Sequence, residues 1–204
     1  MSALSWILVL LGAYLLGGIS FSYVAGRLAR GADLRRLGSG NLGATNVIRQ
    51  IGWSWGLAVL ALDLAKGYVA VAAAERILGA GPGPLLAGLA AILGHSFTPY
   101  LGFKGGKGVA TSAGVFLRLA PGATGLALAV FLAVLLSFRM VSVASLMAAL
   151  SLPLAVLLLR EGDELLLALT LLAALLIWIR HRSNIARILR GEEPRFHLSR
   201  QGGD

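Results

Sequence analysis

Apolar residues fall into seven runs that together cover more than half of the chain, and each run predicts a helix that crosses a membrane. The runs lie at about 4–26, 53–74, 85–100, 109–120, 123–138, 141–159 and 165–179. Several are shorter than the roughly 20 residues that a helix needs to cross a bilayer, and Pro121-Gly122 separates the shortest run from the next. Short helices persist at membrane depth only where protein or a wet cavity satisfies their backbone groups. This pattern indicates a site close to one membrane interface.

The composition agrees with a single integral membrane domain over residues 1–204. The chain is 57% hydrophobic and 13% charged, with a mean hydropathy of +0.82, which is too apolar for a soluble domain of this size. The first run has no basic residue before it and no small-residue cleavage pattern after it, so we expect a retained span. Cysteine is absent, which excludes disulfides, a thiolate nucleophile and a Cys-ligated metal. The polar tail, about 192–204, is expected to be loosely ordered.

The basic residues predict the orientation of the helices. A net charge of +9 could suggest nucleic acid, but the positive residues stand at the ends of the apolar runs, as membrane flanks do. With seven spans and the N-terminus outside, 14 Lys and Arg residues fall on the inner side and three on the outer side. The prediction is therefore an all-α, polytopic membrane protein with seven transmembrane helices and a cytoplasmic C-terminus.

Uncommon polar residues gather in three short stretches, all of which this topology places on the cytoplasmic side. The stretches are 38–46 (GSGNLGATN), 104–111 (KGGKGVAT) and 180–184 (RHRSN). They contain all three asparagines of the chain and two of its three lysines. Plain alternatives exist for each stretch: a capped loop between helices, a basic loop that sets topology, and a histidine at a helix end.

The first stretch begins with a G-x-G-x-x-G pattern at 38–43, and Asp63 follows twenty residues later. A dinucleotide site would need a preceding strand and a βαβ unit, whereas this stretch follows basic residues and the acid lies in an apolar run. The glycines still allow positive φ, so that successive N–H groups can converge on an anion. Ser39 and Asn41 would add donors, and Arg49 would share a helix face with Asn46.

The second stretch predicts an anion site at the start of a helix. It is not a Walker A motif, because Gly108 follows Lys107 where a Ser or Thr is needed. The loop leads into a helix that begins near Val109, and a helix N-terminus carries free N–H groups and a positive partial charge. An anion could bind there with Lys104 and Lys107 reaching toward it.

The third stretch adds a histidine and an amide. His181 could donate to a phosphate or act as a base, since its ordinary pKa lies near operating pH. Ser142 begins the sixth run on the same side and could reach the same ligand, although hydroxyls often bond within their own helix. No carboxylate lies within the three stretches. The residues therefore suit phosphate binding better than metal-assisted or triad hydrolysis.

Taken together, the stretches resemble the bacterial acyl-phosphate:glycerol-3-phosphate acyltransferases of the PlsY family. The resemblance covers nearly the whole chain in order and spacing. It rests on residues 38–46 with Arg49, 94–111, 180–191, 63–67 and 139–142.

This resemblance implies an enzyme of the bacterial inner membrane that works early in phospholipid synthesis. The family transfers a fatty acyl group from acyl phosphate to the sn-1 hydroxyl of glycerol 3-phosphate, giving lysophosphatidic acid and phosphate. It implies no metal or other cofactor and no direct use of acyl-CoA or acyl carrier protein. A soluble enzyme would supply the acyl phosphate.

Our hypothesis divides the residues of these stretches by role, and Lys104, His181 and Ser39 are expected to be catalytic. Acyl phosphate is expected to bind Ser39, Gly40, Asn41, Lys104 and the amides of Gly105 and Gly106. Glycerol 3-phosphate is expected to bind Arg49, Ser142, His181 and Asn184, and the substrate-binding set further includes Asn46 and Lys107. Two groups could take the hydroxyl proton, His181 and the donor's own phosphate.

Two other classes of protein would explain part of the pattern. An anion or phosphate-ester transporter also uses broken helices and basic residues, but it usually binds near the midplane and shows repeat symmetry. A membrane scaffold would not need to concentrate rare Asn and Lys residues so tightly. The gathering of polar residues on one side favours the enzyme.

Overall fold

The computed structural model describes residues 2–159 and 161–196, and within these ranges the chain is helical with no β-strand. This confirms the predicted all-α class for the part of the chain that is described. The α-helices are α1 (Ala3–Gly18), α2 (Phe21–Arg30), α3 (Ala44–Gln50), α4 (Trp53–Leu78), α5 (Pro82–Ser96), α6 (Val109–Leu119), α7 (Pro121–Phe138), α8 (Val141–Leu159), α9 (Glu164–Arg180) and α10 (Arg182–Leu189). Two 3-10 helices cover Leu34–Arg36 and Pro99–Leu101.

Five helical segments of the described residues are long and apolar enough to cross a membrane. They are Ala3–Arg30, Trp53–Leu78, Pro82–Leu101, Pro121–Phe138 and Val141–Leu159. A sixth span results if α9 and α10, which meet at a 58° bend, count as one. The apolar helix α6 has only 11 residues. Length and composition thus identify a polytopic membrane protein with five or six spans, while the predicted seven spans and their orientation stay predictions.

The short helix α6 is held against α4 by small residues. A Cβ on Gly67 of α4 would collide with the Thr111 carbonyl, and one on Gly114 of α6 would collide with the Leu64 carbonyl. In lipid the hydrophobic effect does not drive helices together, so helix pairs rely on close packing, which small residues permit. The opposite face of α6 buries Phe116, which is 1% exposed. Protein therefore surrounds α6 on both faces.

The outer faces of the longer helices carry large apolar side chains. Leu136 of α7 and Leu158 of α8 are 72% and 79% exposed, respectively. In water such residues would be costly, whereas in lipid they are the expected surface. The distribution agrees with a protein whose exterior faces acyl chains.

The polar stretches lie at the ends of helices, and the last described segment of the chain packs beside them. The N–H of Phe196 donates to the carbonyl of Arg139, at the end of α7, and its ring meets Trp53 edge-on at 5.5 Å between centroids. The predicted loose tail, 192–204, is described only to residue 196. Within that part Glu193 is 7% exposed, so this segment packs against the helices, whereas 197–204 lie outside the described residues.

Candidate active site

The lysine loop, residues 102–108, is held in place by hydrogen bonds to its backbone N–H and carbonyl groups. The N–H groups of Gly105 and Gly106 donate to the carbonyls of Ser96 (3.2 Å) and His95 (3.1 Å). Arg180 donates in turn to the Gly105 carbonyl at 2.7 Å and to the Gly106 carbonyl at 3.1 Å. The two amides that were expected to bind acyl phosphate are therefore already used to hold the loop. Sequence could not show this, because the direction of an N–H group depends on the fold.

Glycine is needed at the centre of the loop because its neighbours leave no space for a side chain. A Cβ on Gly106 would collide with the imidazole of His95 and with the carbonyl of Leu42, and one on Gly105 would collide with the His95 carbonyl. The contact with Leu42 joins the second polar stretch to the first. The glycines thus permit the close approach of separate segments.

The free donors of this region lie at the start of α6. This helix has no side-chain cap, and among the described residues the N–H groups of Gly108, Val109 and Ala110 have no acceptor. The hydroxyls of Thr111 and Ser112 are buried there without a hydrogen-bond partner. Such a helix terminus favours an anion through both its N–H groups and its positive partial charge.

Lys107 links the lysine loop to the third polar stretch, since its Nζ donates to Oδ1 of Asn184. Burial, assisted by Arg187, Arg180 and Arg49, lowers the pKa of Lys107 to about 8, although Glu193 acts in the opposite direction. Lys104 differs from Lys107. Its side chain is exposed and, within the described part of the chain, makes no hydrogen bond.

Glu193 is a site residue that the sequence interpretation missed. Its carboxylate accepts from Nδ2 of Asn184 at 2.6 Å and from Nε of Arg187 at 2.7 Å. Burial alone would raise the pKa of Glu193, but bonding to Asn184, the nearby Ser142 hydroxyl and Arg187 lowers it below its ordinary value. Ser142 is 5% exposed and, among the described residues, has no partner of good hydrogen-bond geometry. The signal in the sequence was the acidic pair that follows Gly191, eight residues after the end of the third stretch.

Arg49 reaches the same neighbourhood from α3. Its Nη2 donates to the carbonyl of Pro194 at 3.2 Å, beside Glu193. Leu42 of the first polar stretch thus contacts Gly106 of the lysine loop, and Arg49, three residues after that stretch, contacts the last described segment of the chain. Lys107, Arg187 and Arg49 lie near the carboxylate of Glu193, so this cluster carries an excess of positive charge.

His181 lies at the junction of α9 and α10 and is 2% exposed. Its Nδ1 is 2.8 Å from the carbonyl of Ile177. Because a carbonyl only accepts, Nδ1 carries a hydrogen, and a neutral ring then has its lone pair on Nε2. Nε2 makes no hydrogen bond with any described residue. The ring is thus oriented as a proton acceptor would need.

Asn46 holds the loop before α3 through its side-chain amide, and its contact with a substrate stays a prediction. It is 2% exposed, its Oδ1 accepts from the N–H of Ser39 at 3.2 Å, and its Nδ2 donates to the carbonyls of Leu37 and Asn41, both at 3.1 Å. The side chain therefore holds the loop before α3 in shape. Ser39 itself is exposed, as a ligand-binding hydroxyl would be.

Among residues 2–159 and 161–196, no group of three or more His, Cys, Asp or Glu side chains is arranged to hold a metal ion. The donors of the site are instead ammonium, guanidinium, amide and hydroxyl groups, which are the partners of phosphate oxygens.

Known proteins resemble this chain over nearly its whole length. A family model described as glycerol-3-phosphate acyltransferase matches residues 7–191. The glycerol-3-phosphate acyltransferase of Desulforudis audaxviator (strain MP104C) is 47% identical over 196 residues, which are 96% of this chain and 98% of the relative. That of Geobacter sulfurreducens is 45% identical over 184 residues, covering 90% and 94% of the two chains.

Solved structures agree with these relatives. The crystal structure of PlsY (YgiH), an integral membrane glycerol 3-phosphate acyltransferase, in its glycerol 3-phosphate form has a TM-score of 0.90 and 40% identity, and the match covers 95% of this chain and 96% of that one. The lysophosphatidic acid form gives a TM-score of 0.87 at 38% identity. Sequence and fold thus lead to one conclusion: this chain belongs to the glycerol-3-phosphate acyltransferase family.

Proposed function

We propose that this protein transfers a fatty acyl group from acyl phosphate to the sn-1 hydroxyl of glycerol 3-phosphate. The products are lysophosphatidic acid and inorganic phosphate, and the reaction needs no metal or other cofactor. The proposed location is the inner membrane of a bacterium, with seven spans, the N-terminus outside and the site facing the cytoplasm. A soluble enzyme supplies the acyl phosphate.

One observation carries the proposal: three distant segments meet around one group of phosphate-binding side chains. Lys107 bonds to Asn184, Arg180 holds Gly105 and Gly106, and Leu42 packs on Gly106. A site for two phosphorylated reactants needs more donors than one loop can supply. The convergence provides them without a carboxylate pair or a metal.

We assign the donor phosphate to the start of α6 and to the loop before α3. The free N–H groups of Gly108, Val109 and Ala110 replace the amides of Gly105 and Gly106 in this role. Lys104 and Ser39 are exposed and Asn41 is partly exposed, so these three side chains can reach the phosphate. The N–H of Gly40 already donates to the carbonyl of Leu37, so Gly40 contributes through the shape of the loop. Positive charge aimed at the departing phosphate stabilises the transition state.

We assign glycerol 3-phosphate to Arg49, Lys107, Ser142 and Asn184. Lys107 and Asn184 are in direct contact, and the hydroxyl of the buried Ser142 lies close to the Glu193 carboxylate. Glu193 orients Asn184 through its hydrogen bond. The acceptor phosphate thus meets two cations and two neutral donors.

The chemistry is a single displacement at the acyl carbon. The primary hydroxyl oxygen forms a bond to that carbon, and the bond from the carbon to the phosphate oxygen breaks with the electron pair leaving on phosphate. The hydroxyl proton passes to Nε2 of His181 and returns to solvent or phosphate. Acyl phosphate is an activated anhydride, so positioning and charge stabilisation can supply most of the rate enhancement.

Purified protein incubated with palmitoyl phosphate and radiolabelled glycerol 3-phosphate tests the proposal. We expect labelled lysophosphatidic acid without added metal, and none when palmitoyl-CoA or palmitoyl-acyl carrier protein replaces the donor. Asn184→Ala is the matched control, because it removes a side chain that we assign to glycerol 3-phosphate binding and should lose most of the activity.

Two results would contradict the proposal. If product forms from the thioester donors and not from palmitoyl phosphate, the acyl donor is a thioester and not acyl phosphate. Uptake of labelled glycerol 3-phosphate into vesicles that contain the protein, without any lipid product, would make it a carrier.

A further inference from the structure

Three ionisable side chains lie deep between α4 and α5, outside the set that touches the substrates. Asp63, Lys66 and His95 are 2%, 3% and 7% exposed. Nζ of Lys66 is 2.7 Å from Oδ1 of Asp63 and donates to the carbonyl of Ile19 at 2.7 Å. Nδ1 of His95 faces the same Asp63 oxygen at 3.7 Å. Burying charged side chains within a membrane protein costs free energy, so residues of this kind commonly serve a function.

His95 connects this cluster to the lysine loop. Its carbonyl receives the N–H of Gly106, and its imidazole occupies the space into which a Cβ on Gly106 would project. Nε of Arg180 donates to the carbonyl of the same residue, Gly106. Gly106 therefore lies between the His95 ring and the Arg180 guanidinium, and the next residue is Lys107.

We propose that Asp63, Lys66 and His95 form a positioning network that sets the geometry of the lysine loop for catalysis. The Asp63 carboxylate lies 3.7 Å from Nδ1 and favours this orientation of the imidazole through its charge, without a hydrogen bond. Lys66 anchors Asp63 to the α1–α2 junction. The imidazole then sets the position of Gly106 and, through it, of Lys107 and the free N–H groups at the start of α6. The proposal rests on the proposed function and adds residues that touch neither substrate.

A purely structural ion pair and a positioning network differ in one respect. If Asp63 and Lys66 only neutralise each other, their joint replacement by uncharged residues should be harmless, because buried ion pairs are often replaced at little cost in stability. If Asp63 acts on His95, the joint replacement should leave a folded protein with a misplaced loop. A displacement of about 1 Å in a site can cost on the order of 10²-fold in rate.

The decisive variant is Asp63→Asn/Lys66→Met. We expect kcat for acyl transfer to fall roughly tenfold or more, while the thermal unfolding midpoint in detergent stays within about 5 °C of that of the wild type. The affinity for inorganic phosphate, measured by calorimetry, should fall in parallel, because it reports the loop without turnover. The matched control is Glu75→Gln/Arg118→Gln, which neutralises an ion pair at the other end of α4 and should leave kcat unchanged.

His95 gives a second, independent pair of variants. His95→Ala removes the support beneath Gly106 and should lose more activity than His95→Gln, which partly refills that space. Wild-type kcat and phosphate affinity in the Asp63→Asn/Lys66→Met protein, or in His95→Ala, would overturn the proposal. The wild-type protein could also bind phosphate more tightly than these variants and yet transfer no acyl group. That result would refute the proposed function but would still support the positioning network.

Discussion

At the residue scale, the electrostatic state of Lys107 makes the site sensitive to pH. With its pKa lowered to about 8 by burial and by neighbouring arginines, Lys107 is protonated below about pH 8 and neutral above it. A dianionic ligand favours the protonated form. The second pKa of a phosphate ester is about 6, so glycerol 3-phosphate does not change charge in this range.

We therefore predict that KM for glycerol 3-phosphate rises with pH above about 8, by up to about tenfold per pH unit. Lys107→Arg should remove this rise, because arginine stays protonated and still carries donors for Asn184. Steady-state kinetics from pH 6.5 to 9.5 with saturating acyl phosphate measure both effects. An unchanged alkaline limb in Lys107→Arg would assign the titration to another group.

His181 supports a second prediction at this scale. Its Nδ1 bonds to the carbonyl of Ile177, which leaves Nε2 as the ring nitrogen with a free lone pair in the neutral form. We propose Nε2 as the acceptor of the hydroxyl proton. His181→Asn can keep the bond to Ile177 but has no basic nitrogen, so kcat should fall about 10²-fold or more with little change in KM. Single-turnover measurements at pH 7.5 separate the chemical step from release. Near-normal turnover would show that the departing phosphate takes the proton instead.

At the scale of an element, the loop before α3 depends on one amide. Asn46 satisfies the N–H of Ser39 and several backbone carbonyls in a buried position. Asn46→Ala should lower the free energy of unfolding by about 2–4 kcal/mol, since each buried polar group left without a partner costs about 1–3 kcal/mol. Thermal unfolding in detergent checks this. Gln50→Ala, on the same helix, is the control and should change stability by less than about 1 kcal/mol, and equal losses in both variants would contradict the account.

The helices could be predicted from the sequence because their signal is local. Apolar runs end at Gly, Pro and basic residues, and the structure places α4, α7 and α8 close to the predicted spans. Directions of individual groups could not be predicted. The N–H groups of Gly105 and Gly106 turn toward α5, and Glu193 enters the site from a segment whose composition indicates a loose tail.

At the scale of the whole molecule, the number of transmembrane spans determines which helix ends lie on the same side of the membrane. The natural chain has no cysteine, so single-cysteine variants can be labelled without background. We predict that a membrane-impermeant maleimide labels Ala80→Cys and Pro121→Cys in intact bacterial cells. Arg36→Cys and Arg190→Cys should react only after the membrane is opened.

Pro121→Cys is the informative position of this set, because it follows the 11-residue helix α6. Labelling from outside shows that α6 crosses the membrane and completes seven spans. Labelling only from the cytoplasmic side would make α6 a re-entrant segment and would leave six spans. Labelling of Arg36→Cys in intact cells would reverse the orientation.

The central claim is that one pocket binds both phosphorylated reactants, and a structure of the protein in lipid tests it most directly. The ligands would be glycerol 3-phosphate and a non-transferable acyl phosphonate. We predict both phosphorus groups within hydrogen-bond reach of all three polar stretches, with the primary hydroxyl about 3–3.5 Å from the acyl carbon. Ligands bound in separate places, or a phosphonate away from the start of α6, would contradict the account.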